Sequence, residues 1–393
     1  MKKNGKYIIW CGIIAMWALG CKKPYTPAII SSNNNYLVVE GNISTGADST
    51  IIRLSRTVNL SSGVTINPEL NATVAIQDNQ NQTYNLHSIG GGVYTSAILN
   101  LDNTRTYRLN ITTSDGKTYQ SAYVTAMASP PIDSIGFTVQ NNGIQIYVNT
   151  HDPNNKTHYY RWDYNETWIY HAKYDSEYIS NDSTDVVIRT PQQQIYQCWG
   201  SSISTVITLG SSAKLSQDVI YQNPIIFIPS TSEKIESRYS ILLKQYAMTS
   251  DGYNYYSILK KNTEQLGSIF DAQPSQLTGN IHCTTDATLP VIGYITAGLV
   301  QQKRIYINNS QLPNWTPTYP YDCELDTALY ATNGPMPQNQ VLELLVPQPN
   351  GYITVYPLYA PRATGPIGYL YSDPDCADCS IRGSLIKPSF WQN

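Results

Sequence analysis

Cys376 and Cys379 stand at the C-x-x-C spacing that serves thiol–disulfide exchange or one half of a tetrahedral zinc site. Neither chemistry finds its other half. The chain has no second C-x-x-C, and no βαβ pattern of the thioredoxin type surrounds the pair. The five histidines, His87, His151, His158, His171 and His282, form no H-E-x-x-H pair or other spacing that a tetrahedral metal needs. His151-Asp152 and His158 would meet only across adjacent strands, and a solvated turn explains them better. Asp373-Pro-Asp375 and Asp378 offer oxygen ligands for calcium, but without the loop of an EF-hand. There is no G-x-S-x-G elbow, Walker-type loop or nucleotide fingerprint, and Gly90 to Gly92 reads as a hairpin turn. A carboxylate pair for glycoside hydrolysis needs only a separation of about 5–10 Å in space. With 28 acidic residues the sequence singles out no such pair. No catalytic residue, metal ligand or cofactor is therefore assigned, and the chain is read as non-enzymatic, with a hydrolase as the least favoured reading.

Binding chemistry is better represented. Aromatic faces beside Asn and Gln suit sugar or peptide clefts, because rings stack on apolar faces while amides bond polar edges. Trp162, Trp168 and Trp199 fall in strand-like runs, where core packing is the preferred reading. The segment Asn314-Trp-Thr-Pro-Thr-Tyr-Pro-Tyr321 differs: its prolines bar it from a central strand, so Trp315, Tyr319 and Tyr321 are the candidate ligand contacts.

The elements that would position these residues are mostly strands. Tyr36–Ile43, Ser49–Arg56, Ala72–Gln77, Tyr84–Leu86, Gly92–Tyr94, Tyr107–Thr113 and Tyr119–Thr125 alternate apolar and polar residues between turns, the pattern of an Ig-like or prealbumin-like β-sandwich over 36–127. Ser114-Asp-Gly-Lys117 is a hairpin turn. Ala126–Ile132, with Pro130 and Pro131, ends this module. A larger β-rich domain is expected over 132–393, including an aromatic face at Tyr160, Trp162 and Tyr164. One helix near 250–266 is expected, capped by Thr249 or Ser250, with Asp251 in its first turn.

The chain has 393 residues, so more than one core is expected. Only 13% are charged, against about 25% in an average globular protein, while 32 are Tyr. The net charge of -3 gives no counterion-release drive towards phosphate backbones, which argues against nucleic acid as a partner.

Lys2, Lys3 and Lys6 precede an apolar stretch from Tyr7 to Leu19, the length of a signal-peptide core and too short to span a bilayer. It closes on Ala18-Leu-Gly-Cys21, which looks like a lipobox. Residues 1–20 are read as a signal peptide, Cys21 as the lipidated residue, and the polar run through Ser31-Ser-Asn-Asn-Asn35 as a tether. Cys11 leaves with the signal. The five remaining cysteines allow two disulfides and one spare thiol in an oxidising compartment. Cys198 and Cys323 are read as pairing with Cys376 and Cys379, in an order that spacing does not settle.

Several segments together resemble the Bacteroidetes lipoproteins catalogued as domain of unknown function 4249. They include Leu37–Ile43 with Ile52–Thr57, Tyr160–Trp168, Cys198-Trp199, Tyr239–Gln245, Leu259–Glu264, Gly267–Ser275, Gly279–Ile281, and Cys376–Cys379 with Lys387–Trp391. The resemblance implies a two-part, mostly β lipoprotein of the outer membrane, facing the cell surface or the periplasm and encoded beside a TonB-dependent, SusC-like receptor. It brings no catalytic residues. Cys283 lies outside its cysteine pattern and is the candidate spare thiol. The expected function is thus a lipid-anchored accessory that captures or presents a nutrient, glycan or peptide to such a receptor. The competing reading is a structural or adhesive surface protein without a small ligand.

Overall fold

The computed structural model describes residues 35–58, 63, 66–180, 185–264, 277–331, 333–334, 336–346 and 351–392. Residues 1–34, which include the stretch read as a signal peptide, Cys21 and nearly all of the expected tether, lie outside the described residues. The protein is mainly β, and no described helix is long and apolar enough to cross a membrane.

The first strands are β1 (Leu37–Ser44), β2 (Ile51–Arg56), β3 (Asn67–Pro68), β4 (Thr73–Asp78), β5 (Thr83–Gly90), β6 (Val93–Thr95), β7 (Thr106–Thr112), β8 (Thr118–Ser121) and β9 (Val124–Ala128). Their alternation sets the inward face: Leu37, Val39, Ile52, Leu54, Val74, Ile76, Tyr107 and Leu109 are buried together. Gly92, at positive φ, turns β5 into β6. A Cβ there would lie 2.3 Å from the Leu54 carbonyl oxygen, so the approach of β2 requires glycine.

A second unit follows, with β10 (Ile132–Gln140), β11 (Gly143–His151), β12 (Tyr159–His171), β13 (Tyr178–Ser180), β14 (Val186–Ile188), β15 (Gln197–Ile203), β16 (Thr208–Ser211), β17 (Val219–Pro229) and β18 (Arg238–Ala247). Helix α1 (Ser250–Glu264) is capped by Thr249, whose Oγ1 accepts the Gly252 N–H at 3.2 Å. The chain then returns to the first unit with β19 (Ile281–Cys283), β20 (Val291–Gly293) and β21 (Thr296–Leu299), before β22 (Gln301–Asn308), β23 (Asp326–Leu329), β24 (Ile353–Leu358) and β25 (Gly368–Ser372).

That return changes the N-terminal architecture. β21 lies parallel between β1 and β9, and β9 pairs with β7, so the strands close into a ring in the order β7-β4-β5-β6-β2-β1-β21-β9. The result is a barrel-like sheet of eight strands. The sequence pattern suggested two facing sheets built from 36–127 alone. The difference arises because β5 pairs with β4 through residues 83–86 and with β6 through residues 87–90, thus belonging to both sheets and turning a corner between them. The run expected as one strand over Tyr119–Thr125 is also split, β8 pairing with β19 and β9 with β21.

In the second unit, β15-β12-β18-β22 with β16 form a five-stranded sheet that shares a core with the three-stranded sheet β10-β11-β17. Tyr160, Trp162, Tyr164, Glu166, Trp168 and Tyr170 alternate inward along β12. Trp162 is fully buried and its Nε1–H donates to Gln245 Oε1 at 2.9 Å. Trp168 is buried in the same core, in keeping with the core reading, whereas Trp199 is only partly buried and lies outside the core clusters. Burying each such ring is worth on the order of 3 kcal/mol. α1 covers the far end of the sheet, packing Tyr255 and Tyr256 with Met248, Tyr159 and Tyr294. A third, small sheet, β23-β25-β24, has its own cluster around Ala328, Val341, Leu345 and Tyr369.

Candidate functional site

Asp322, Glu324 and Asp326 alternate along the extended segment entering β23, so the three carboxylates share one side of the chain. Between the first two, Cys323 is bonded to Cys376 in the one-turn helix Pro374–Ala377. Tyr174 Oη donates to the Cys323 carbonyl oxygen at 2.9 Å, and Ser372 Oγ to that of Glu324 at 2.6 Å. The segment is thereby fixed from both sides although few strand bonds hold it.

Opposite it, Tyr371 of β25 stands in register with Asp326, and the rings of Tyr371 and Tyr352 meet with centroids 4.8 Å apart. These residues, with Ser372 and Asp373, line a cavity of about 310 Å³. Its lining holds four carboxylates and no basic residue. Burial, and after it the charges of Asp326 and Asp373 and the neighbouring Tyr352, push the Tyr371 phenol above its ordinary value, so at neutral pH it is a hydrogen-bond donor. The cavity offers a cluster of acceptors, a negative potential and two aromatic faces, which suit ligand groups that donate hydrogen bonds or carry positive charge. Among the described residues, no group of three or more His, Cys, Asp or Glu side chains is placed to hold a metal ion.

The candidate residues of the Pro-rich loop lie elsewhere. Trp315 packs against the core of the second unit. Tyr319 lies under Lys173 Nζ, 5.0 Å from its ring centroid, and burial pushes its hydroxyl up to about 12. Tyr321 lies 5.6 Å from the Arg382 guanidinium carbon. All three are half-buried against the body, where a Thr318 N–H to Thr231 carbonyl bond of 2.8 Å fastens the loop. None lines the cavity.

Of the proposed calcium ligands, Asp373 lines the cavity, while Asp378 accepts the Ser380 N–H at 2.8 Å. His151 pairs with Asp133 at 2.8 Å and His158 lies against Ser212 at 3.3 Å, so these two histidines do not share a site. Cys198 is bonded to Cys379, and Cys283 is an unpaired thiol buried in the barrel core. Sequence reasoning did not select Asp322 and Glu324. The available signal was their alternation with Asp326 around a cysteine, which lacks the apolar partners that mark a strand.

A family model described as Domain of unknown function (DUF4249) matches residues 22–304, well over half of the chain. The matched region ends before the cavity-lining residues and the C-terminal cysteines. No curated protein matches the chain. Among solved structures, it is similar to a DUF4785 family protein from Legionella pneumophila, with 9% identity and a TM-score of 0.20 over 53% of this chain and 52% of that one. The chain thus spans about half the length of that protein, and a likeness of this size carries no argument about fold or function.

Proposed function

This chain belongs to the family described as domain of unknown function DUF4249, and on that premise we propose that it is a lipid-anchored accessory protein of the outer membrane that presents a ligand to a TonB-dependent, SusC-like receptor. The observation that carries the capture step is the acidic, aromatic cavity held by the Cys323–Cys376 bond. Such a cavity can select a ligand by charge and by stacking, through its four carboxylates and two tyrosine rings. Support for the anchor comes from the lysines, apolar stretch and Ala18-Leu-Gly-Cys21 run at the start of the chain. Two disulfides suit an oxidising compartment.

In this reading the eight-strand ring is an Ig-like or prealbumin-like module with bridged corners, and it supplies the docking part. The second unit carries the ligand, a nutrient, glycan or peptide, and no chemical step is performed. The protein faces the cell surface or the periplasm from its lipid anchor.

Gentle detergent extraction of the tagged chain from outer membranes, followed by mass spectrometry, tests the reading. Recovery of a TonB-dependent receptor in near-equal amount is the expected result. Recovery of the lipidated chain without a receptor would remove the uptake role and favour a structural or adhesive one.

A further inference from the structure

The five-stranded sheet has a second face, away from its core. Tyr239, Ile241 and Leu243 of β18 and Ile307 of β22 are buried inward, which turns Arg238, Ser240, Arg304 and Tyr306 to the other side. Ser240 and Tyr306 stand in register there, with Arg238 two residues before Ser240 and Arg304 two residues before Tyr306.

The C-terminal segment is tied down at both edges of this sheet. At β15, Ser384 exchanges two backbone bonds with Trp199, of 2.8 and 3.0 Å. At β22, Tyr306 Oη donates to the Phe390 carbonyl oxygen at 2.8 Å, and the buried Trp391 ring meets Tyr306 edge-on at 5.5 Å.

Two guanidinium groups lie within this arrangement. Arg238 stacks over the Tyr306 ring at 4.7 Å, and its Nε–H is buried without a hydrogen-bond partner. Arg304 stacks on Phe390 at 3.7 Å, and its Nη1 donates to Ser240 Oγ at 3.0 Å. Neither makes an ion pair among the described residues, whereas Arg56, Arg105, Arg161 and Arg382 each do. Burial pulls the Arg304 guanidinium below its ordinary value, with no carboxylate to offset it.

Stacking occupies the flat face of a guanidinium and leaves the N–H edge available. The Arg304 edge reaches the fully buried Ser240 hydroxyl, and Arg238 lies over the ring of Tyr306, the cross-strand partner of Ser240. Guanidinium groups with no carboxylate partner among the described residues, partly withdrawn from water, match the planar or tetrahedral oxygens of an anion. We propose that Arg238 and Arg304 form an oxyanion-binding site on the outer face of the five-stranded sheet, bordered by the aromatic C-terminal segment, for a ligand bearing a phosphate, sulfate or carboxylate group. The site is separate from the acidic cavity and does not depend on the receptor reading.

Calorimetric titration of the full chain with inorganic phosphate, sulfate or acetate, against sodium chloride of equal ionic strength, tests it. One saturable anion per chain is expected. Arg238→Gln and Arg304→Gln should each weaken binding roughly tenfold, as loss of a charge-assisted bond does. Arg304→Lys should fall in between, keeping the charge but losing the fork. Tighter phosphate or sulfate binding assigns a tetrahedral oxyanion to the ligand, and tighter acetate binding a carboxylate. Near-UV circular dichroism checks the fold of each variant, and if a Gln variant is unfolded, the wild-type and Arg304→Lys titrations decide. Absence of saturable heat with all three anions, or equal affinity in folded Arg→Gln variants, would overturn the proposal.

Discussion

Thr296 Oγ1 donates a 2.7 Å hydrogen bond to Asn42 Oδ1, joining residues 254 positions apart in the chain. It lies where β21 runs parallel to β1 and completes the eight-strand ring. Asn280 reinforces the junction: its Nδ2 donates to the Ile295 carbonyl oxygen at 2.8 Å, and its Oδ1 accepts the Ile295 N–H at 2.9 Å. Ile281, Cys283, Ile295 and Ala297 all enter the barrel core. The N-terminal module is therefore closed by chain that follows β18 and α1 and precedes β22, the last strand of the second unit's five-stranded sheet.

A fragment of residues 36–128 should lack a cooperative thermal transition. It leaves β1 and β9 as open edges and exposes the core residues that β19 and β21 cover. Circular dichroism would show this, and fusing residues 277–300 through a flexible linker should restore the transition. A fragment that unfolds cooperatively alone would mean that the ring needs no returning strand.

Gly298 supplies a point test of the same closure. A Cβ there would stand 2.0 Å from the Met127 carbonyl oxygen, on a backbone carried by the β21–β9 pairing. Gly298→Ala should lower stability by about 2 kcal/mol or more, since backbone must shift to admit it. Denaturant unfolding would report this as a lower midpoint.

Legibility in the sequence followed the range of the interactions. Tyr160, Trp162 and Tyr164 were readable as one aromatic face because period-two alternation is local, and α1 was readable from Thr249, Asp251 and its apolar spacing. β21 was not: Thr296-Ala-Gly-Leu299 is short, half of it small residues, and its parallel partners are more than 160 positions away. Cysteine positions named the bonded residues but left the order of pairing open. The cavity acids and the Arg238–Arg304 pair escaped for a common reason. Each depends on strand register or on a crosslink that brings distant segments together, which local alternation such as that of Asp322, Glu324 and Asp326 does not report.

Removal of the Cys198–Cys379 bond by a double Ser substitution should cost about 3–5 kcal/mol, because the bond closes a loop spanning 181 positions. Removal of Cys323–Cys376, at a separation of 53, should cost somewhat less globally but should loosen the segment carrying Asp322 and Glu324. Denaturant unfolding would give the first effect. Hydrogen exchange confined to the cavity-lining segments would give the second.

His171 should make stability pH-dependent near neutrality. Its Nδ1 lies 3.3 Å from Glu236 Oε1, and its backbone N–H donates to Glu236 Oε2 at 3.2 Å. The hydrogen bond to Glu236 raises its pKa above the ordinary value, outweighing the opposing effect of burial, with the Glu236 charge, Gln197 and Asp175 also raising it. Because the folded-state pKa is the higher one, this contribution is complete below about pH 6.5 and is lost as pH rises through the folded-state value. Unfolding midpoints measured across that window should fall with pH in the wild type, and His171→Gln should remove this component. An equal slope in the variant would assign the dependence to other groups.

Gln245 should be the most sensitive polar position in the second unit. Fully buried, it accepts the Trp162 Nε1–H at 2.9 Å, and its Nε2 donates to the Pro130 carbonyl oxygen at 2.8 Å, to Thr150 Oγ1 at 3.1 Å and to Ser129 Oγ at 3.2 Å. One amide thus links β18 to β12, to β11 and to the connection leaving the barrel. Replacement by Leu keeps apolar volume but strands the indole donor. Thr150 retains the Pro131 carbonyl oxygen as an acceptor at 3.0 Å, so the loss is concentrated on Trp162 and Pro130. An unsatisfied buried group costs about 1–3 kcal/mol, which gives about 2–4 kcal/mol for Gln245→Leu. Trp162→Phe removes the stranded donor. It should therefore cost less in the Gln245→Leu background than in the wild type, and a double-mutant cycle in denaturant measures that difference. Additive losses would place the cost of Gln245→Leu in packing instead of the unpaired indole.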